Sequence, residues 1–245
     1  MIKSWSYSRL LDFESCPLKA KLKHVDRIAD PRPSPAADRG TQIHTLAEEY
    51  LLGKIKSLPP ELKKFSAEFE VMKGCPQLDL EQEWGFDHDW QPTSWKTAWG
   101  RIKADAVAIF PDNEAAVVDF KTGKKFGNEV KHGEQLMLYA LATFIMYPQI
   151  KTAHTELWYL DFDDLSDLTV SRDVAMKRYL RMFDKRARRM TEATEFPANP
   201  NIYSCKWCGF GEGEIKDGIE GTGHCKLRVT DKVATVNFFK RRNAK

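Results

Sequence analysis

The chain has 245 residues, of which 42% are hydrophobic, 30% charged and 11% aromatic, a composition that supports a buried core and excludes disordered and collagen-like chains. Lys and Arg number 38 against 35 Asp and Glu, a net charge of +3, which admits a nucleic-acid partner without requiring one. Apolar stretches such as 136–147 fall far short of the ~20 residues that span a bilayer, and residues 1–11 hold Lys3 and Arg9 with no signal-peptide core. A cytosolic protein is therefore expected. Its five cysteines (Cys16, Cys75, Cys205, Cys208 and Cys225) cannot all pair, and a reducing compartment argues against disulfides.

The length allows one large domain or two small ones. A single domain over 1–245 is expected, with a helical part at 1–75, a core at 76–195, a cysteine-rich segment at 196–230 and a basic tail at 231–245. Trp5-Ser6-Tyr7-Ser8-Arg9-Leu10-Leu11-Asp12-Phe13 offers a serine cap and apolar residues at helical spacing, which predicts a short helix ending at Cys16-Pro17. Three prolines in 30–35 make a loop, and 41–52 has the spacing of an amphipathic helix. Pro59-Pro60 interrupts the chain before a short helix near 61–69. The period then changes, and 80–86, 100–110 and 115–120 read as strands, the last two joined by the turn residues Pro111-Asp112-Asn113-Glu114. A strong helix at 129–147, a strand at 155–160 and a long basic helix at 174–194 complete the order. The expected class is α/β, a small mixed sheet covered by helices.

The chemistry concentrates in Val117-Val118-Asp119-Phe120-Lys121-Thr122-Gly123, an apolar strand that ends in an acid, a hydrophobe, a lysine and a turn. At period two, Asp119 and Lys121 leave the same strand face, and a hairpin with the preceding strand could bring Asp105 beside Asp119. Two carboxylates so placed repel unless a cation sits between them, and hard oxygen ligands suit Mg²⁺ or Mn²⁺. Lys121 would then position a nucleophile and offset charge developing at a phosphate, the arrangement of metal-assisted phosphodiester hydrolysis. Glu81 and Glu83 on the first strand read as a solvated face that could also supply a carboxylate.

With these residues in place the chain resembles the RecB-like branch of the PD-(D/E)xK nuclease superfamily. Ser6-Tyr7-Ser8-Arg9-Leu10 with Phe13 and Cys16-Pro17 is similar to its opening motif, and Arg39-Gly40-Thr41-Gln42-Ile43-His44 with Glu48 to its G-x-x-x-H motif. The resemblance implies a restriction-endonuclease-like core in which His44, Asp105 and Asp119 bind Mg²⁺ or Mn²⁺ and Lys121 is catalytic. Gln135-Leu136-Met137-Leu138-Tyr139 matches the Q-x-x-x-Y motif, which adds Gln135 and Tyr139. Two departures are visible: Ile102 stands where the family has glycine three residues before the first acid, and Asp119 where many relatives have glutamate.

Cys205-Lys206-Trp207-Cys208 is a C-x2-C, Cys225 follows after sixteen residues, and Cys16 lies far upstream. Four soft thiolates suit tetrahedral Zn²⁺ or an iron-sulfur cluster, and spacing alone does not choose. The resemblance implies a [4Fe-4S] cluster on Cys16, Cys205, Cys208 and Cys225, as in the CRISPR adaptation nucleases and AddB-type nucleases, tying the two ends of the chain together. The glycine-rich insertion 210–224 departs from that pattern and keeps zinc open, with His224 as a substitute ligand. Cys75 matches nothing and reads as a small buried residue.

Between 177 and 189 stand seven basic residues (Lys177, Arg178, Arg181, Lys185, Arg186, Arg188 and Arg189), and the tail adds Lys240, Arg241, Arg242 and Lys245. Arg9, Lys124, Lys125, Lys131, Arg178, Arg181 and Lys185 are candidate phosphate contacts. Trp90, Trp95 and Trp99 could stack on bases of a single strand, though some of them belong to the core. No P-loop is present, so the chain carries no helicase motor of its own. The expectation is a metal-dependent DNA exonuclease acting on ends, of single-stranded DNA and in the 5′ to 3′ direction. Alternatives are an endonuclease or an end-processing subunit with a helicase, recombination or CRISPR-type partner, and a non-catalytic DNA-binding module.

Overall fold

The computed structural model describes residues 1–216 and 218–229; the basic tail at 231–245, with Lys240, Arg241, Arg242 and Lys245, lies outside them. The chain divides into two compact units, one of Met1–Pro33 with Arg186–Lys245, the other of Ser34–Lys185. No helix among the described residues is long and apolar enough to cross a membrane.

The unit Ser34–Lys185 is a six-stranded mixed sheet in the order β2-β1-β3-β4-β5-β6. Its strands are β1 Gln77–Phe86, β2 Pro92–Thr93, β3 Gly100–Ile109, β4 Glu114–Lys121, β5 Thr152–Tyr159 and β6 Asp164–Ser171. Every pairing is antiparallel except β4 with β5. That parallel pair requires a crossover, and α5 (Glu129–Met146) supplies it. Strand β6 was not expected from the sequence. Its residues Asp164-Leu165-Ser166-Asp167 are those of a sheet edge, largely exposed, with Val170 its only buried side chain.

On one sheet face Ala106, Val118, Phe120 and Trp158 pack against α3 (Pro35–Leu51), a 3-10 turn (Pro60–Phe65) and α4 (Ser66–Lys73). Ile43, Ala47, Tyr50 and Leu51 recur at helical spacing on the buried stripe of α3. Phe69 is fully buried and meets Phe120 at 5.4 Å and Trp158 at 5.3 Å between ring centres. Truncating it to alanine would cost about 3–5 kcal/mol. The helix α3 begins at Pro35, six residues before the expected start, because proline is well suited to a helix's first turn.

The other unit opens with α1 (Tyr7–Ser15), whose N-cap Ser6 Oγ accepts from Arg9 N, and α2 (Pro17–His24). Asp12 is buried between them, with Lys19 at 2.7 Å, Lys23 at 2.9 Å and His24 at 3.0 Å. The expected basic helix is three segments. These are α6 (Arg172–Val174), a π-helical turn at Ala175–Tyr179, and α7 (Leu180–Thr191), which runs across the boundary between the units. After it come α8 (Ile202–Cys205) and a hairpin of β7 (Glu214–Lys216) with β8 (Ile219–Glu220).

Candidate active site and cysteine cavity

Strands β3 and β4 stop pairing at Ala106 and Val118, one residue before Asp105 and Asp119. The opening strands leave Phe120 N without a backbone acceptor from β3, and Asp105 Oδ2 takes its place, accepting that N–H at 2.7 Å. Asp119 Oδ1 accepts from the Tyr139 hydroxyl, and from Gln135 Nε2 at 3.2 Å. Gln135 and Tyr139 sit one turn apart on α5, and Gln135 also donates to the Tyr139 oxygen at 2.8 Å. Each carboxylate therefore has one oxygen fixed by protein donors.

The other two oxygens face the site. Asp105 Oδ1 lies 3.3 Å from His44 Nδ1. Asp119 Oδ2 is buried and has no hydrogen-bond partner; Lys121 Nζ stands 2.6 Å away, at ion-pair distance but off hydrogen-bond geometry. His44 Nε2 is 2.7 Å from the Phe120 carbonyl, which can only accept, so Nε2 carries a proton and Nδ1 is the nitrogen turned toward Asp105. A ring N–H held by a backbone carbonyl is the usual support of a metal-ligand histidine.

Electrostatics follow from this crowding. Burial, then the negative Asp119, pushes the Asp105 carboxyl above its ordinary range. For His44 burial works against the charged ring, but Asp105, Asp119 and the Phe120 carbonyl outweigh it and raise its pKa. Burial and the nearby negative charges hold the Tyr139 hydroxyl far above its usual range, so it acts as a donor.

A fourth group joins the site. His44, Glu81 and Asp105 form a set whose ligand atoms all lie within 4.8 Å of one another. Glu81 has a left-handed backbone (φ 51°) in the middle of β1, and the pairing passes it over, from Leu80 opposite Ala106 to Gln82 opposite Ala104. This kink turns Glu81 toward Asp105, where it also contacts Lys103. The sequence held the acid but not the kink, so the solvated strand face expected at Glu81 is corrected. A cleft of about 500 Å³ lined by Gly40, Thr41, His44, Glu48, Glu81 and Lys103 opens here.

Of the other expected positions, Arg178, Arg181 and Lys185 are exposed at spacings of three and four, one face of a helix. Lys124 and Lys131 are exposed beside the turn after β4, whereas Lys125 donates to Asp164 Oδ1 at 3.0 Å and to the Leu165 carbonyl at 2.7 Å. Arg9 is turned back on Ser4, with 2.7 Å to its Oγ. Trp90 and Trp99 are buried at 5% and 3% exposure, packed edge to face, so neither is a stacking surface. Trp95 is half-buried, with Arg101 over its ring.

In the unit that holds both termini, Cys16, Cys205, Cys208 and Cys225 line one cavity, together with apolar residues such as Leu18, Leu22 and Phe210 and with Lys19, Ser204 and Arg228. Burial pushes the Cys208 and Cys225 thiols up, and the neighbouring sulfurs add to it. The insertion 210–224 does not disrupt the knuckle but folds back on it. Cys225 N donates to Phe210 O at 2.8 Å, and Gly211 bridges to Cys225. Arg228 gathers the carbonyls of Cys205, Glu212, Gly213 and Glu214, at 2.8 to 3.2 Å. A Cβ on Gly221 would stand 2.1 Å from Gly211 O, so this close approach demands glycine. His224 is exposed and outside the residues that line the cavity. Cys75 is half-exposed rather than buried, its thiol raised by partial burial.

The family model of the PD-(D/E)XK nuclease superfamily matches residues 4–107 and 99–212. Among solved structures, the chain is similar to a protein of Eubacterium rectale described provisionally as an exonuclease. The two share 14% identity over 80% of this chain and 84% of that one, with a TM-score of 0.45. It is also similar to the protein SSO0001, at 14% identity over 85% and 84% of the two chains, with a TM-score of 0.40. Because the two family-model matches overlap and together run from residue 4 to residue 212, the chain belongs to the PD-(D/E)XK nuclease superfamily.

Proposed function

We propose that this chain is a metal-dependent deoxyribonuclease of the RecB-like branch, hydrolysing phosphodiester bonds at the ends of single-stranded DNA. The observation that carries the reading is the division of labour at Asp105 and Asp119. One oxygen of each is anchored by Phe120 N or by Tyr139 and Gln135, while Asp105 Oδ1 faces His44 and Asp119 Oδ2, without a hydrogen bond, faces Lys121 at ion-pair distance. Hard oxygens and one supported imidazole fit Mg²⁺ or Mn²⁺, which His44, Glu81 and Asp105, close enough to share one ion, would hold with Asp119 from the adjoining strand end. When bound, such an ion lowers the pKa of a water and polarises a phosphoryl oxygen.

The chain's own residues do the rest. Lys121 Nζ, beside Asp119 on the same strand face, orients the attacking water and offsets charge gathering on the phosphate. Tyr139 and Gln135 keep Asp119 in place, and the Phe120 carbonyl fixes the His44 ring. Arg178, Arg181 and Lys185 offer an exposed basic face to the DNA backbone. Direction of attack is proposed as 5′ to 3′, by resemblance, and the setting as the cytosol, with a helicase, recombination or CRISPR-type partner implied by the same resemblance.

The cysteine cavity is proposed to hold a [4Fe-4S] cluster, with zinc as the alternative. Four thiols on one cavity, with Lys19 and Arg228 beside them to offset thiolate charge, support a soft metal group there. It would act as a staple between the two ends of the chain, with no part in hydrolysis.

The test is cleavage of end-labelled linear and of closed circular single-stranded DNA with Mg²⁺, Mn²⁺ or EDTA, run beside Lys121→Ala. Metal- and Lys121-dependent loss of the linear substrate alone is expected, and the labelled end reports the direction. Cutting of the circle would make the protein an endonuclease. Binding without cleavage in either metal would contradict the hydrolytic reading.

A further inference from the structure

Five residues beyond Lys121, Phe126 is 89% exposed, and Val130 beside it is 78% exposed. Covering so exposed an aromatic ring would take its apolar surface out of water. Its turn is not slack. Lys125 is tied to Asp164 and to the Leu165 carbonyl, Asn128 Nδ2 donates to Lys124 O at 3.1 Å, and Asn128 N to Lys125 O at 3.0 Å. Gly127, at φ +82°, supplies the left-handed step that closes the turn. The side chain between the two tethers is thus held outward by its own backbone. Leu165, whose carbonyl anchors Lys125, is itself 40% exposed. Lys124 and Lys131, both exposed, bracket Phe126, against the single acid Glu129 in the same stretch.

We propose that Phe126 is a stacking platform for a nucleobase of single-stranded DNA, with Lys124 and Lys131 on the flanking phosphates. Aromatic stacking beside cations suits unpaired strands of any sequence, because every base offers a π-face and the backbone offers charge. In a duplex those faces are already stacked. The occupant is therefore a frayed or single-stranded end, which deepens the proposed function and rests on it. Trp90 and Trp99 are in the core, whereas Phe126 presents an open ring five residues beyond Lys121.

The test separates binding from cleavage. Anisotropy of a labelled single-stranded oligonucleotide is measured in EDTA for the wild type, Phe126→Ala and Phe126→Trp, with thermal melting as the fold control. Phe126→Ala is expected to weaken binding between about five- and a hundredfold with its melting temperature unchanged. Phe126→Trp should retain binding and show quenched tryptophan emission on addition of DNA. Equal affinity of Phe126→Ala and wild type would overturn the proposal, while Mg²⁺-dependent cleavage by the wild type in a parallel assay would leave the nuclease reading standing. If the wild type neither binds nor cleaves, the nuclease reading fails and the platform with it.

Discussion

In the unit Ser34–Lys185 the candidate ligands are oxygens and one imidazole, carried on strand ends and helix faces. In the unit with both termini they are four thiols, carried on the start of a helix, a tight knuckle and a folded-back loop. The first set is placed by regular structure. Register puts Asp105 next to Asp119, period two puts Lys121 on the face of Asp119, and one helical turn puts Gln135 beside Tyr139. The second set is placed by loop hydrogen bonds, Arg228 above all, and has no period to read. The lesson is that a site on strands and helices is specified mostly by spacing, and a site on loops mostly by what ties the loops down.

Substitutions in the two regions should act on different properties. The largest effect is expected from Cys208→Ser, which should release the proposed metal group that would tie Cys16 to Cys208, 192 residues apart. Its loss should cost about 4–5 kcal/mol by loop-closure entropy, read as a lower denaturant midpoint together with loss of absorbance near ~400 nm. Carboxylate-site metal binding should survive it. Next, Lys121→Ala should cut hydrolysis by roughly a hundred- to a thousandfold, leaving the absorbance and the denaturant midpoint unchanged.

Tyr139→Phe should lower metal affinity or activity by about ten- to a hundredfold, the range for a residue that supports a ligand, measured by Mn²⁺ titration. The smallest effect is expected at Asp12, which belongs to neither ligand set. Burial raises its carboxyl pKa, but hydrogen bonds from His24, Lys19 and Lys23 outweigh that and hold it well below the usual range. A depressed folded pKa gives stability that is fully present above the unfolded value of about 3.9 and lost as pH falls toward the folded one. Asp12→Asn should therefore destabilise the protein by about 1–2 kcal/mol at neutral pH, discounted for the solvent around the lysines. It should also flatten the acid limb of the stability curve below about pH 4.

Much of the first region was legible in the sequence. The strands carrying Asp105 and Asp119, the following helix and the helix bearing His44 lie where periodicity puts them. Glu81 was legible only as one of two strand acids that could supply a carboxylate, because its direction depends on one left-handed backbone angle that an acid on a strand does not announce. Edge strand β6 escaped because its polar residues need satisfy only one neighbour. That Trp90 and Trp99 are the ones in the core, and Trp95 is not, was not legible, since tryptophans between strands look alike whether they face core or solvent. In the second region the cysteines were visible, but Arg228 and the close approach of Gly211 to Gly221 exist only once the loop has folded.

The central claim is that the oxygen-rich site, and not the thiol cavity, holds the divalent ion that hydrolysis needs. It is tested most directly by Mn²⁺ binding followed by electron paramagnetic resonance in wild type, Asp119→Asn and Cys208→Ser. The account predicts binding that Asp119→Asn weakens at least about tenfold and Cys208→Ser leaves intact. Binding lost in Cys208→Ser and retained in Asp119→Asn would contradict it.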